Sequence, residues 1–157
     1  EPNKISLIRS IEKDGYSAVQ VEVSKTNKVK LKKEFRTTEK TEAKNGDEIK
    51  IDIFEIGDKV EITGITKGKG FQGVMKRHGF HGSKKTHGHK HDWRAPGSIG
   101  STFPEHVIKG KKMAGRMGGE KSSTKNLKIV YIDKEKNILG VKGAVPGVVG
   151  RIVEITA

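Results

Sequence analysis

The chain has 157 residues, enough for one domain or one domain with an appendage. Hydrophobic residues make up 32% of it and aromatics 5%, so the core is expected to be aliphatic and modest, while a net charge of +13 favours polyanions as partners. Cysteine is absent, which excludes disulfides and thiolate metal sites, and neither a membrane-length apolar run nor a signal-peptide pattern is found, so a cytosolic protein is expected.

In chain order, "YSAVQVEV" sets Val19, Val21 and Val23 on one face of a strand, with Gln20 and Glu22 opposite. Leu31 and Phe35 stand four apart, which makes Leu31–Lys44 the place where a helix is expected. Asn45-Gly46 is a turn signal, and "IKIDIF" then predicts a strand with Ile49, Ile51 and Ile53 on one face. "KVEITGIT" offers Val60, Ile62 and Ile65 to the core. Later, "LKIVYI" and "ILGVKG" flank "DKEKN", a hairpin, and "GRIVEI" forms a closing strand. Short strands with turn signals at close intervals predict a mainly β protein, a small barrel or sandwich. No internal repeat is present.

Between these strands, Lys67 to Lys121 has neither period. It carries thirteen Lys and Arg against Asp92, Glu105 and Glu120, a net +10 of the chain's +13. All six histidines and 12 of the 20 glycines fall in it. A loop this long in a compact domain is usually functional or disordered. Phe71, Met75, Phe80, Trp93, Ile99, Phe103 and Met113 are too many bulky groups for a simple linker. An extension that becomes ordered against a polyanion accounts for both its cations and its apolar groups.

The motifs inside this segment fit that account better than their rivals. Gly68-Lys-Gly70-Phe-Gln-Gly73 matches the dinucleotide fingerprint, but "VMKRHGFHG" is interrupted by glycine before an amphipathic helix can form. His87, His89 and His91 alternate, and on an extended strand would face one way, as three metal ligands can. Lys84, Lys85, Lys90 and Arg94 surround them and would repel a divalent cation, so hydrogen bonds to phosphates or 2′-hydroxyls, or stacking on bases, are favoured. Ser98 and Ser101 lack the carboxylate and elbow of a hydrolase triad, so no enzyme is indicated. Trp93, with Asp92, Arg94 and Ala95-Pro96 around it, suits a stacking surface for a base. Lys109, Lys111, Lys112 and Arg116 continue the cationic run toward phosphate. A histidine-rich metal carrier and a DNA-architectural protein are the alternatives.

"VEITGITKGKGFQGVMKRHGF", "HGHKHDWRAPGSIG", "VIKGKKMAGRMGG" and "NLKIVYID…NILGVKGAVPG", in this order, resemble the universal large-subunit ribosomal protein three family, bacterial type. The resemblance spans about Val60–Gly147, with Asp14–Val23 similar to an early barrel strand of the family. It implies a small six-stranded barrel of the translation-protein type, at 1–66 and 122–157, and a long, largely irregular basic extension at 67–121. It further implies a structural, non-catalytic role in the cytoplasmic ribosome. Large-subunit rRNA and neighbouring large-subunit proteins would be the partners, early assembly the setting, and the peptidyl transferase centre the direction of the loop. No cofactor, metal, membrane or small-molecule substrate is implied. By position, Lys67, Lys69 and Phe71 begin the outgoing arm, with Lys76, Arg77 and His78 along it. His87, His91, Arg94, Pro96, Gly97 and Ser98 lie near the tip, with Lys84, Lys85, His89, Lys90 and Trp93 among them. Lys109, Lys111, Lys112, Met113 and Arg116 form the return arm. Three departures stand out. Ser101-Thr102-Phe103 replaces the segment where bacterial relatives carry a glutamine methylation target. The Val23–Gly46 interval is short, and the family's glycine-rich opening strand is missing before Glu1, so the barrel is expected to lack a strand in this numbering.

Overall fold

The computed structural model describes residues 3–26, 29–37 and 43–157, with no side-chain description for residues 24–30. It is mainly β, built of antiparallel sheets, and the described residues include no closed barrel. Two compact units are present: Glu1–Val60 with Asn126–Gly143 and Ala157, and Glu61–Lys125 with Ala144–Thr156.

The first unit opens with β1 (Asn3–Arg9), a short helix α1 (Ile11–Asp14), β2 (Ala18–Thr26) and β3 (Val29–Arg36). Their sheet, with β4 (Glu48–Ile49), has the order β3-β2-β1-β4. The alternation read in "YSAVQVEV" is realised: Val19 and Val21 are buried with Ile5, and Ile8, Phe35, Ala43 and Ile49 pack against them.

Two segments of this unit depart from the sequence expectation. Residues 29–36 form β3, not a helix, and pair with β2 from Ala18↔Arg36 to Thr26↔Val29. A spacing of four suits a strand as well as a helix, because four is a multiple of two, and the edge of β2 offers this segment a ladder. The remainder of the expected helix falls partly on residues 38–42, outside the described residues. The expected strand through Ile49, Ile51 and Ile53 stops at Ile49, which meets Asn3, the first residue of β1. Where the ladder ends, the backbone satisfies itself. Ile51–Ile53 form a 3-10 turn, Phe54 N–H donates to the Ile51 carbonyl at 3.1 Å, and Ile53 is exposed. The turn at Asn45-Gly46 is present, with Gly46 at φ +96.

An ionic cluster ties β1 to β3. The Arg9 Nε–H donates to Glu34 Oε2 at 3.0 Å, and the Tyr16 hydroxyl to Glu34 Oε1 at 2.8 Å. Arg9 also reaches Asp14 at 2.6 Å, and both Arg9 and Arg36 lie over the Tyr16 ring. The hydrogen bonds from Tyr16, then from Arg9, hold the Glu34 carboxyl below its ordinary range. Its folded pKa is thus depressed, so the stability it contributes is present above the unfolded carboxylate pKa and is lost as pH falls below it. Glu34→Gln should therefore lower the thermal midpoint at pH 7, and the difference from the parent should shrink below about pH 4. A gap that persists undiminished at pH 2.5 would refute the ionic role.

A second sheet has the order β10-β5-β8-β9, from β5 (Lys59–Ile65), β8 (Lys121–Asp133), β9 (Ile138–Lys142) and β10 (Glu154–Thr156). The predicted hairpin exists: β8 and β9 pair from Lys128↔Lys142 to Asp133↔Ile138, and Asp133 Oδ1 accepts the Glu135 and Lys136 amides. On β5, Val60 and Ile62 are 1% exposed, as expected, but Ile65 is on the other face and 39% exposed. Position 65 is out of step with 60 and 62 in a two-residue period, and Gly64 takes the inward place. A Cβ on Gly64 would stand 2.8 Å from the Pro146 carbonyl, so the backbone there accepts only glycine without rearrangement.

Candidate nucleic-acid interface

Between Lys67 and Lys121 the elements are few: β6 (Phe71–Gln72), α2 (Val74–His78) and β7 (Gly115–Arg116). Val74 is the one buried residue among those described in this span. Its stem is a narrow ladder. Thr66 N–H donates to Glu120 O, Lys69 N–H to Met117 O and Met117 N–H to Gly70 O, each at 2.9 Å. Phe71 and Gln72 then pair with Arg116 and Gly115. At Gly118, φ is +74, and a Cβ would collide with the Lys67 carbonyl. Glycine is required there for the two strands to approach.

The helix α2 departs from expectation, since the glycines read as breakers act as its boundaries. Gly73 is the extended N-cap, and Gly79, left-handed at φ +72, ends it by donating to Met75 O. The buried Val74 anchors the turn. This places Arg77 and His78 across from the return strand. Arg77 Nη1–H donates to the Met113 carbonyl at 2.8 Å, and His78 Nε2 lies 3.1 Å from the same oxygen. Gly115 leaves room for the guanidinium, because a Cβ there would meet Arg77 Nη1 at 2.6 Å. Two residues expected to face RNA, Arg77 and His78, thus latch the outgoing arm to the returning one.

At the tip the expected alternation of His87, His89 and His91 is not formed. Residues 85–95 run through turns and bends, so the three imidazoles do not share a strand face. Glycine at 88, with φ +88, and the local bonds of Thr86 and His89 N–H curl the backbone instead. His89 lies 3.8 Å from Asp92, and the described residues include no group of three potential metal ligands. Trp93 is 36% exposed, with Lys85 Nζ 5.4 Å and Arg94 Cζ 5.5 Å from its ring centre. Gly82, φ +70, lets the chain pass against the Trp93 carbonyl. Both cations thus lie over the ring itself, in cation–π contact with it.

The remaining predicted contacts are spread along the surface. Lys67, Lys69, Lys76, Lys84, Lys90, Lys109, Lys111 and Lys112 are exposed, with no described carboxylate in ion-pair reach. His87 and His91 are exposed, as are Pro96, Gly97 and Ser98, and Ser98 Oγ donates to Gly100 O at 2.7 Å. On the return arm, Met113 is 37% exposed and Arg116 is exposed in β7. Phe71 and Phe103 are 76% and 83% exposed, a costly state for apolar rings in water alone. Thr66 and Lys121, absent from the expected contacts, join Lys67 and Lys69 around one concavity. Their only trace in the sequence is Lys121, the last cation of the basic segment.

Comparison with known proteins gives the family of the chain. The profile of the family described as Ribosomal protein L3 matches residues 17–138. A "Large ribosomal subunit protein uL3" of Thioalkalivibrio sulfidiphilus is 43% identical, over 96% of this chain and 80% of the relative. That of Chromohalobacter salexigens is 44% identical over 94% and 79%, and that of Oceanobacillus iheyensis 42% over 100% and 83%. With matches over most of its length to relatives it covers by about four fifths, the chain belongs to the ribosomal protein L3 family.

Proposed function

We propose that the chain is a structural constituent of the large ribosomal subunit, acting in the cytoplasmic ribosome and not as an enzyme. In this role residues 67–121 bind large-subunit rRNA, and residues 1–66 and 122–157 form the body that carries them, a six-stranded barrel of the translation-protein type. Neighbouring large-subunit proteins are the other partners. The extension points toward the peptidyl transferase centre, and binding comes early in subunit assembly.

The observation that carries the proposal is the arm itself: a narrow stem bears exposed lysines with no described carboxylate in reach and apolar rings left in water. Such a surface gains from a polyanion that neutralises the cations and covers the rings. Phosphates drawn together in folded RNA repel one another, and lysines laid between them remove that repulsion. Glycines admit the backbone where a side chain would not fit. The relatives' shared name, large ribosomal subunit protein, points the same way. Nothing favours the histidine-rich metal carrier or the DNA-architectural protein.

The test is sedimentation of the tagged full chain from cells. It is expected to travel with the large subunit and to stay bound when the subunits are separated at low magnesium. Recovery only at the top of the gradient would rule the proposal out.

A further inference from the structure

Most of the arm's cations are dispersed along its surface, but one group of them is not. Lys67, Lys69, Arg77, His78 and Lys121 line a single open concavity of about 710 Å³ at the base of the stem. That volume is of ligand size. Its walls are held by hydrogen bonds within the stem, most of them between backbone groups. Thr66 and Glu120 exchange N–H to carbonyl and hydroxyl contacts at 2.9 and 3.3 Å, and Gly119 N–H donates to Thr66 O at 3.2 Å. Arg77 is fixed by Met113 O and so is presented without further ordering. Gly118 keeps one wall as bare backbone, where a Cβ would meet Lys67 O.

The only aromatic ring in the lining is the His78 imidazole, which is engaged with the Met113 carbonyl. The lining is otherwise aliphatic or polar, whereas the tip carries the large indole of Trp93 with Lys85 and Arg94 about it. Five groups that carry or can carry positive charge converge with one acid, Glu120. Lys121 is shared with Glu154 at 3.5 Å, whereas Lys67 and Lys69 have no described carboxylate within reach.

We propose that this concavity is a preformed cradle for a bent stretch of phosphodiester backbone, gripping RNA independently of sequence while the tip contacts bases. The proposal rests on the rRNA-binding role given above and adds a division of labour to it. The shared chemistry is closely spaced phosphates, which a free oligophosphate also presents. RNA backbone is favoured because the concavity is open and continues the exposed cations of the arm.

The full chain, isotope-labelled for NMR, is titrated with inorganic pyrophosphate and separately with large-subunit rRNA fragments. Pyrophosphate should saturate, moving the amides of Lys67, Lys69, Gly118 and Lys121 and leaving Trp93 still. The double variant Lys69→Ala/Lys121→Ala should weaken it about tenfold with the sheet resonances unchanged. Glu120→Gln, which retains the backbone bonds to Thr66, should strengthen it by about twofold because a nearby like charge is removed. With RNA, the cradle shifts should persist when the fragment's base sequence is scrambled. Unsaturable shifts spread evenly over the lysines would overturn the cradle. So would rRNA binding that moves the tip but not the cradle, an outcome that leaves the rRNA role standing. Saturable pyrophosphate binding without any rRNA binding would instead defeat the RNA occupant together with the rRNA role, and would identify free oligophosphate as the ligand.

Discussion

Replacing Lys109, Lys111 and Lys112 together by alanine should weaken rRNA binding by about two orders of magnitude at 0.1 M salt. The log–log salt dependence should flatten by about two to three. Each phosphate contact releases condensed counterions and contributes roughly 0.7–0.9 to that slope, so three contacts account for the whole change. All three side chains are exposed. The local turn is held by Lys111 N–H donating to Ile108 O at 3.2 Å, a bond alanine retains, so the variant should keep its fold. Filter binding between about 0.05 and 0.3 M salt measures both quantities. A slope unchanged from the parent would show that these lysines face water.

The second large effect concerns the body. Ile129→Ala should cost about 3 kcal/mol, within the 2–5 kcal/mol expected for truncating a buried isoleucine. Ile129 is 0% exposed at the centre of β8. Its N–H donates to Asp58 O at 3.0 Å and its carbonyl accepts the Gly57 N–H at 2.9 Å, so both backbone groups are committed and the site has little freedom to collapse. Against a typical total of about 5–15 kcal/mol this is a large fraction. Urea denaturation followed by far-ultraviolet circular dichroism should show a lower midpoint at unchanged m value. Ile129→Val should lose only about 1 kcal/mol. Equal losses for both variants would mean that shape, not volume, governs the position.

Some of this was readable along the chain because its causes are local. Alternation at Val19 and Val21 and at Val60 and Ile62, and the turn between β8 and β9, act over a few residues. A two-residue period with one apolar face has few other solutions. The concentration of +10 in residues 67–121 needs no fold at all to be seen, and it is what points to a polyanion. The tertiary structure decided everything that depends on partners distant in sequence. Leu31 and Phe35 fit two periods, and the edge of β2 selected the strand. Ile51 and Ile53 left the ladder after Ile49 for a 3-10 turn that no spacing in the sequence signals. Arg77 reaches Met113 across 36 positions, and Lys67, Lys69 and Lys121 enclose one concavity only because the stem zips between them. Spacing along a chain shows which residues can share a face. Which faces meet is settled by backbone hydrogen bonds and packing that form only when the chain closes on itself.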